Sequence, residues 1–158
     1  MSLSLLLEPD RRWMKMALAE AQHAFEADEV PVGAVIVRNG QIIGRGRNMV
    51  EQLKDPTAHA EMIALTAACE TIGQKYLAGC TLYVTLEPCP MCAGAIVWAK
   101  VPRVVFGAFD EKAGSASTLY NILQDPRLNH QVDVVSGVER DAAAALLREF
   151  FFKKRAIR

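Results

Sequence analysis

Apolar residues recur every four positions at Trp13, Ala17, Ala21 and Phe25, with Met14 and Leu18 beside them. That period predicts a first helix over 11–27, capped by Asp10 and barred from continuing by Pro31. Residues 33–38 form a short apolar, β-branched run. Asn39-Gly40 follows, both residues that tolerate positive φ, and 41–46 return, so the pair reads as a β-hairpin. Residues 47–55 read as a polar loop. Asp55-Pro56 suits an N-cap and first helical position, opening a second helix that runs to Ile72, with Met62, Leu65 and Cys69 along one side and Gly73 as its stop. Further along, strands are expected at 81–86, 103–107 and 131–135. A third helix is expected at 90–98, a polar loop at 108–117, a short helix at 118–123 and a final helix at 139–152.

Strands alternating with helices after an opening hairpin imply crossover connections. The expected fold class is α/β, a three-layer α/β/α arrangement around one five-stranded mixed sheet, mostly parallel, with a single domain over 1–158. Composition agrees, with 158 residues, 51% hydrophobic and 23% charged, in the range of one globular core. Eighteen basic and eighteen acidic residues cancel. That excludes nucleic-acid binding by bulk charge but says nothing of a local patch. No apolar run approaches the roughly 18 residues of a membrane span. Residues 3–7 lack the basic flank and small-residue cleavage site of a signal peptide. They read as a docked or frayed N-terminus, and the expected location is the cytoplasm. Four cysteines do not suggest a disulfide scaffold.

The candidate chemistry sits in two short stretches, Thr57-Ala58-His59-Ala60-Glu61 and Glu87-Pro88-Cys89-Pro90-Met91-Cys92. One imidazole and two thiolates give zinc three protein ligands and leave its fourth position to water, the pattern of a catalytic rather than a structural site. Cys89 and Cys92, three apart at a helix start, share a face, and the helix N-terminus favours their thiolates. His59 and Glu61, two apart, point away from each other on an ideal helix. Both reach one ion only from a first turn, where side chains lean toward the N-terminal end. The bland readings are a redox Cys-x-x-Cys pair, half of a structural zinc site, or a four-cysteine site completed by Cys69 and Cys80. The lack of a second Cys-x-x-Cys and the place of Cys89 in a Glu-Pro-Cys turn argue against the first two. Cys69, on an apolar helix face, and Cys80, before a strand, are better read as core. His23 and His130 read as surface or packing residues, and Met14, Met16 and Met62 as core filler.

His59-Ala60-Glu61 together with Thr85-Leu86-Glu87-Pro88-Cys89-Pro90-Met91-Cys92-Ala93-Gly94-Ala95 resembles the zinc motif of the cytidine-deaminase-like superfamily. Within it, the chain is most similar to the bacterial tRNA-specific adenosine deaminases (TadA type). Four further stretches carry that likeness: Pro31-Val32-Gly33-Ala34-Val35, Val104-Val105-Phe106-Gly107-Ala108, Leu128-Asn129-His130, and the aromatic-basic end Phe150-Phe151-Phe152-Lys153-Lys154-Arg155. The stretches 47–54 and 109–112 match only loosely. The resemblance implies hydrolytic deamination of adenosine to inosine at the anticodon wobble position of a tRNA, usually an arginine tRNA. It implies one zinc ion per subunit on His59, Cys89 and Cys92, with Glu61 as the proton shuttle and Asn48 bonded to the target base. It further implies a homodimer with 92–100 near the subunit contact.

An adenine stacked in a duplex cannot offer its C6 to a buried site, so the substrate base must be splayed from a loop. From 146 to 158 five basic residues face one acidic residue, with Phe150, Phe151 and Phe152 interleaved. Lys153, Lys154 and Arg155, with Lys112, are the candidate RNA contacts. The alternative is a solvated helix end whose cations complement its dipole and whose phenylalanines are partly core. Two other functions share much of the pattern: a free-base or nucleotide deaminase acting on guanine or cytosine, and a non-catalytic zinc-stabilised RNA-binding module. Glu61 argues against the module, because the ion does not need that carboxylate as a ligand.

Overall fold

The structure, a computed structural model, describes residues 6–157. Residues 3–5 of the expected docked N-terminus, and Arg158 of the basic end, lie outside them. Helix α1 spans Glu8–Glu26, β1 Gly33–Arg38, β2 Gln41–Arg47 and a short α2 Val50–Leu53. Then come α3 at Ala60–Ile72, β3 at Cys80–Leu86 and α4 at Pro90–Trp98. Strand β4 is Arg103–Ala108, β5 is Asp133–Val135 and α5 is Arg140–Ile157.

The strand order is β2-β1-β3-β4-β5. Strand β1 runs antiparallel to both β2 and β3, while β3, β4 and β5 are parallel. The sheet is mixed, as expected, but only half parallel. The α3 crossover joins two parallel strands, β2 and β3, with β1 inserted between them in the opposite sense. Alternate residues of each strand feed opposite faces. Ala34, Ile36, Leu82, Val84 and Phe106 pack toward α3 and α4, whereas Val35, Val37, Tyr83 and Val105 meet Met14 and Ala17 of α1. Among the described residues no helix is long and apolar enough to cross a membrane.

Four local expectations are corrected. Asp10 does not cap α1: the helix begins earlier, with Leu7 at its N-cap position. Asp10 points inward and accepts hydrogen bonds from Arg103 Nη1 (2.9 Å), Arg103 Nη2 (2.7 Å) and the Tyr83 hydroxyl (2.9 Å). The loop after β2 contains α2, because the Glu29 carboxylate accepts the N–H of Glu51 (2.9 Å) and of Gln52 (2.7 Å) at its first turn. The short helix expected at 118–123 is absent; there Leu119 and Tyr120 N–H both turn back to Gly114 O. Finally, α5 continues five residues past its expected end at 152.

Helix α3 lies unusually close to the sheet. Its Ala60, Ala64 and Ala68, four apart on one face, sit over Gly44 and Gly46 of β2. A Cβ at Gly46 would stand 2.1 Å from Ala60 O, and one at Gly44 2.6 Å from Ala64 O. That small-on-small seam sets the depth of the α3 N-terminus.

Candidate active site

Helix α3 starts four residues later than Asp55-Pro56 suggests. Asp55 Oδ1 accepts both Thr57 N–H (2.8 Å) and Thr57 Oγ1–H (2.7 Å), so Pro56 sits in a turn. The N-cap residue of α3 is His59, extended at φ −76°, ψ 156°. The N-cap residue of α4 is Cys89, at φ −76°, ψ 172°. Neither side chain caps its helix, so both are free to face the gap between the two helix starts. Because His59 lies outside α3, the ideal-helix angle between it and Glu61 does not apply.

His59 Nδ1 lies 3.5 Å from Cys89 Sγ and 3.5 Å from Cys92 Sγ. Tetrahedral zinc, with about 2.3 Å to sulfur and about 2.0–2.1 Å to nitrogen, requires an N···S separation of about 3.5 Å. All three ligand atoms lie within 4.8 Å of one another, so the three side chains are placed to hold one ion. Without the ion the three groups share protons. The Cys92 hydrogen bond and His59 draw Cys89 down to about 4. Cys92, sharing its proton with that thiolate and desolvated, is pushed up. The His59 imidazole is raised by its bond to Cys89. A dication replaces these shared protons.

Glu61 is 4% exposed. Burial pushes its carboxyl up to about 7, with the Cys89 thiolate adding to the shift and His59 opposing it. Together with His59, Cys89, Val32, Asn48 and Asp110 it lines a cleft of about 930 Å³. Asn48 is buried; its N–H donates to Val32 O (3.1 Å) and its Oδ1 accepts from Val50 N–H (3.4 Å).

The four basic candidates do not converge on one point. Lys154 reaches the cleft rim but pairs with Asp28 at 2.6 Å. Lys153 lies 4.8 Å over Phe25 and pairs with Glu149 at 3.5 Å. Lys112 and Arg155 share a neighbouring groove of about 670 Å³ with Arg148, Phe151 and Phe152. Phe150 is buried, edge-on to Phe25 at 5.9 Å; Phe151 and Phe152 are exposed. His130 Nε2 donates to Val101 O at 2.7 Å, a packing role. Cys69 and Cys80 stand outside the cluster.

Two residues of the site were not singled out from sequence. Glu29 fastens α2 to one wall of the cleft. Glu87 fastens the loop that brings Asp110 to the cleft: its carboxylate accepts N–H groups from Asp110 (3.1 Å), Ala116 (3.1 Å), Ser117 (2.9 Å) and Thr118 (3.0 Å), and the Thr118 hydroxyl. Burial would raise the Glu87 carboxyl, but those bonds, led by Thr118, hold it below its ordinary value. Only its place two residues before Cys89 marked Glu87 in the sequence, and nothing marked Glu29.

The family model for the cytidine and deoxycytidylate deaminase zinc-binding region matches residues 7–108. The chain belongs to this deaminase family. Its cofactor is zinc. A tRNA-specific adenosine deaminase of Bacillus subtilis (strain 168) is 53% identical over 142 residues, covering 90% of this chain and 88% of that protein. The solved structure of a tRNA A34 deaminase, studied for A-to-I editing at the wobble position of transfer RNA, is 45% identical with a TM-score of 0.83, covering 86% of this chain and 99% of that one. A guanine deaminase from Nitrosomonas europaea is 28% identical with a TM-score of 0.76, covering 89% of this chain and 83% of that one. The deaminase match takes in His59, Glu61, Cys89 and Cys92, but stops before Lys112 and α5.

Proposed function

We propose that this deaminase converts adenosine to inosine at the wobble position of a tRNA anticodon, through one domain over 1–158. The reading rests on the buried carboxylate of Glu61 beside the His59–Cys89–Cys92 cluster, opening into a cleft of about 930 Å³, in a chain about half identical to tRNA-specific adenosine deaminases. His59, Cys89 and Cys92 hold the zinc. Bound zinc supplies an activated water near neutral pH.

The chain's own residues do the rest. Glu61, buried at the cleft, would take one proton from the water and place it on adenine N1 as C6 is attacked, then take the second from the new C6 hydroxyl and deliver it to the departing ammonia. Asn48, on the cleft wall, bonds the base edge and selects it. The anticodon loop is already single-stranded, so presenting the base costs little unstacking. Lys112, Lys153, Lys154 and Arg155 contact the RNA, of which an arginine tRNA is the expected species. Trp98, 80% exposed at the end of the apolar helix α4, fits burial against a second copy in a homodimer. The expected setting is the cytoplasm.

The likeness to a guanine deaminase favours one rival, a free-base enzyme. Incubation with an anticodon stem-loop, guanine and cytosine, followed by mass spectrometry, separates them. Inosine in the stem-loop alone is the expected result; a deaminated free base with untouched RNA would overturn the reading.

A further inference from the structure

Glu87 is 1% exposed, directly follows β3 and stands two residues before Cys89. Its carboxylate sits inside the loop 110–118 and takes its backbone donors from both ends, Asp110 on one side and Ala116, Ser117 and Thr118 on the other. The neighbouring carbonyl joins in, with Pro88 O accepting Ser115 N–H at 2.9 Å. At Gly114 the loop closes so tightly that a Cβ would stand 2.4 Å from Glu87 Oε1. A loop without regular secondary structure is thus built around a side chain that belongs to the metal-bearing segment. That loop carries Asp110 into the cleft and Lys112 into the adjoining basic-aromatic groove.

We infer that Glu87 is a positioning residue, which locks the RNA-facing loop 110–118 in register with Cys89 so that grip on the flanking nucleotides and placement of the target base are set by one rigid joint. This rests on the tRNA deaminase reading. Glutamine is nearly isosteric but offers one acceptor oxygen, and its NH2 confronts N–H donors. The loop then loses its anchor while His59, Cys89 and Cys92 keep theirs.

The test compares zinc-loaded wild type, Glu87→Gln, Lys112→Ala and the double variant on an anticodon stem-loop. Glu87→Gln should raise KM about tenfold with one zinc per chain retained. Lys112→Ala should raise KM several-fold in the wild type and add almost nothing in Glu87→Gln, because its loop is already loose. Loss of zinc, a fall in kcat alone, or Lys112→Ala acting in full in both backgrounds would overturn the inference. Should Glu87→Gln not fold, Thr118→Val removes only the hydroxyl donor; it should raise KM two- to three-fold, and an unchanged KM would count against the joint. Amide exchange at Ala116, Ser117 and Thr118 should speed up in Glu87→Gln whatever the substrate. If wild type leaves the stem-loop untouched but exchange responds, the substrate reading fails while the joint stands; unchanged exchange sinks the joint itself.

Discussion

Asp10 and Glu61 are equally buried, each 4% exposed, yet their carboxyls are driven in opposite directions. Burial raises both. At Asp10, hydrogen bonds from Arg103 and Tyr83 overcome it, and the group is held below its ordinary 3.8. At Glu61 no guanidinium answers; the neighbours are a thiolate, a thiol and an imidazole, and the carboxyl rises to about 7. One carboxylate is fully paired and links α1 to β3 and β4. The other stays under-paired at the start of α3, where it can exchange protons. Pairing rather than burial divides structural from chemical carboxylates.

The largest effect that sharpens this contrast is on turnover. Glu61→Ala should lower kcat by about 10²–10⁴-fold or more, with zinc content and melting temperature nearly unchanged. Loss of the metal together with activity would show that Glu61 shapes the site instead of moving protons. The pH profile carries the same signature. Glu61 must be ionised to accept a proton, so kcat/KM should fall as pH drops through its pKa. Bound zinc, as a nearby dication, pulls that pKa below the ion-free value of about 7. The acid limb should therefore lie at or below neutrality.

Asp10→Asn should do the reverse, leaving kcat intact while costing about 2–3 kcal/mol of stability. This is less than a fully buried broken pair, since Arg103 is 34% exposed. The sign follows from the depressed pKa. The contribution of Asp10 is fully present above its unfolded value of 3.8 and is lost as pH falls through the lower folded value. Denaturant midpoints of wild type and variant should differ at pH 7 and converge in acid. A constant difference would assign the cost to packing.

The contrast also shows what the sequence could carry. Strands β1 and β3, helix α4 and the end of α3 at its Gly73 stop were legible, because hydrophobic period and turn chemistry are local. So was the His59–Cys89–Cys92 cluster, because ligand type and spacing are written in the chain. Asp10 was misread as a cap because its partners Tyr83 and Arg103 lie 73 and 93 positions away. Asp55-Pro56 was misread as a helix start because Asp55 serves Thr57 equally well in a turn. Glu29 and Glu87 act across 22 or more positions, on a one-turn helix and on a loop whose own sequences carry no regular pattern. Contacts of that kind are fixed by the assembled sheet.

Gly46→Ala tests whether the chemical carboxylate depends on backbone placement. A methyl 2.1 Å from Ala60 O must push the start of α3 outward. About 1–3 kcal/mol of overpacking is expected, and His59 and Glu61 move with the helix. Activity should drop by more than the loss of folded protein explains, with zinc affinity weakened. Substitution at Gly40 carries its own backbone strain of about 1–2 kcal/mol, since φ is +72° there, but its Cβ would meet nothing within 4 Å, so it should leave zinc affinity untouched and serves as the control.

The smallest effect belongs to a third carboxylate setting, the exposed pair of Asp28 with Lys154. Its geometry is close, at 2.6 Å, but Asp28 is 75% and Lys154 39% exposed along the side chain, so water and salt screen it. Such pairs contribute about 0–1 kcal/mol, and Lys153→Ala, Lys154→Ala and Arg155→Ala combined should barely move the melting temperature. Their worth should appear only with RNA. For a single strand, every phosphate that a cation ceases to neutralise reduces the slope of log K against log salt by about 0.7. Lys153 and Lys154 already face Glu149 and Asp28, so part of their charge is answered within the protein. The slope of the triple variant should therefore fall by about 0.7–1.4, the equivalent of about one to two phosphates. Titrating an anticodon stem-loop at several salt concentrations reads this directly. An unchanged affinity and slope would confine these cations, Arg155 of the groove included, to helix-end solvation and leave RNA capture to Lys112 and Arg148.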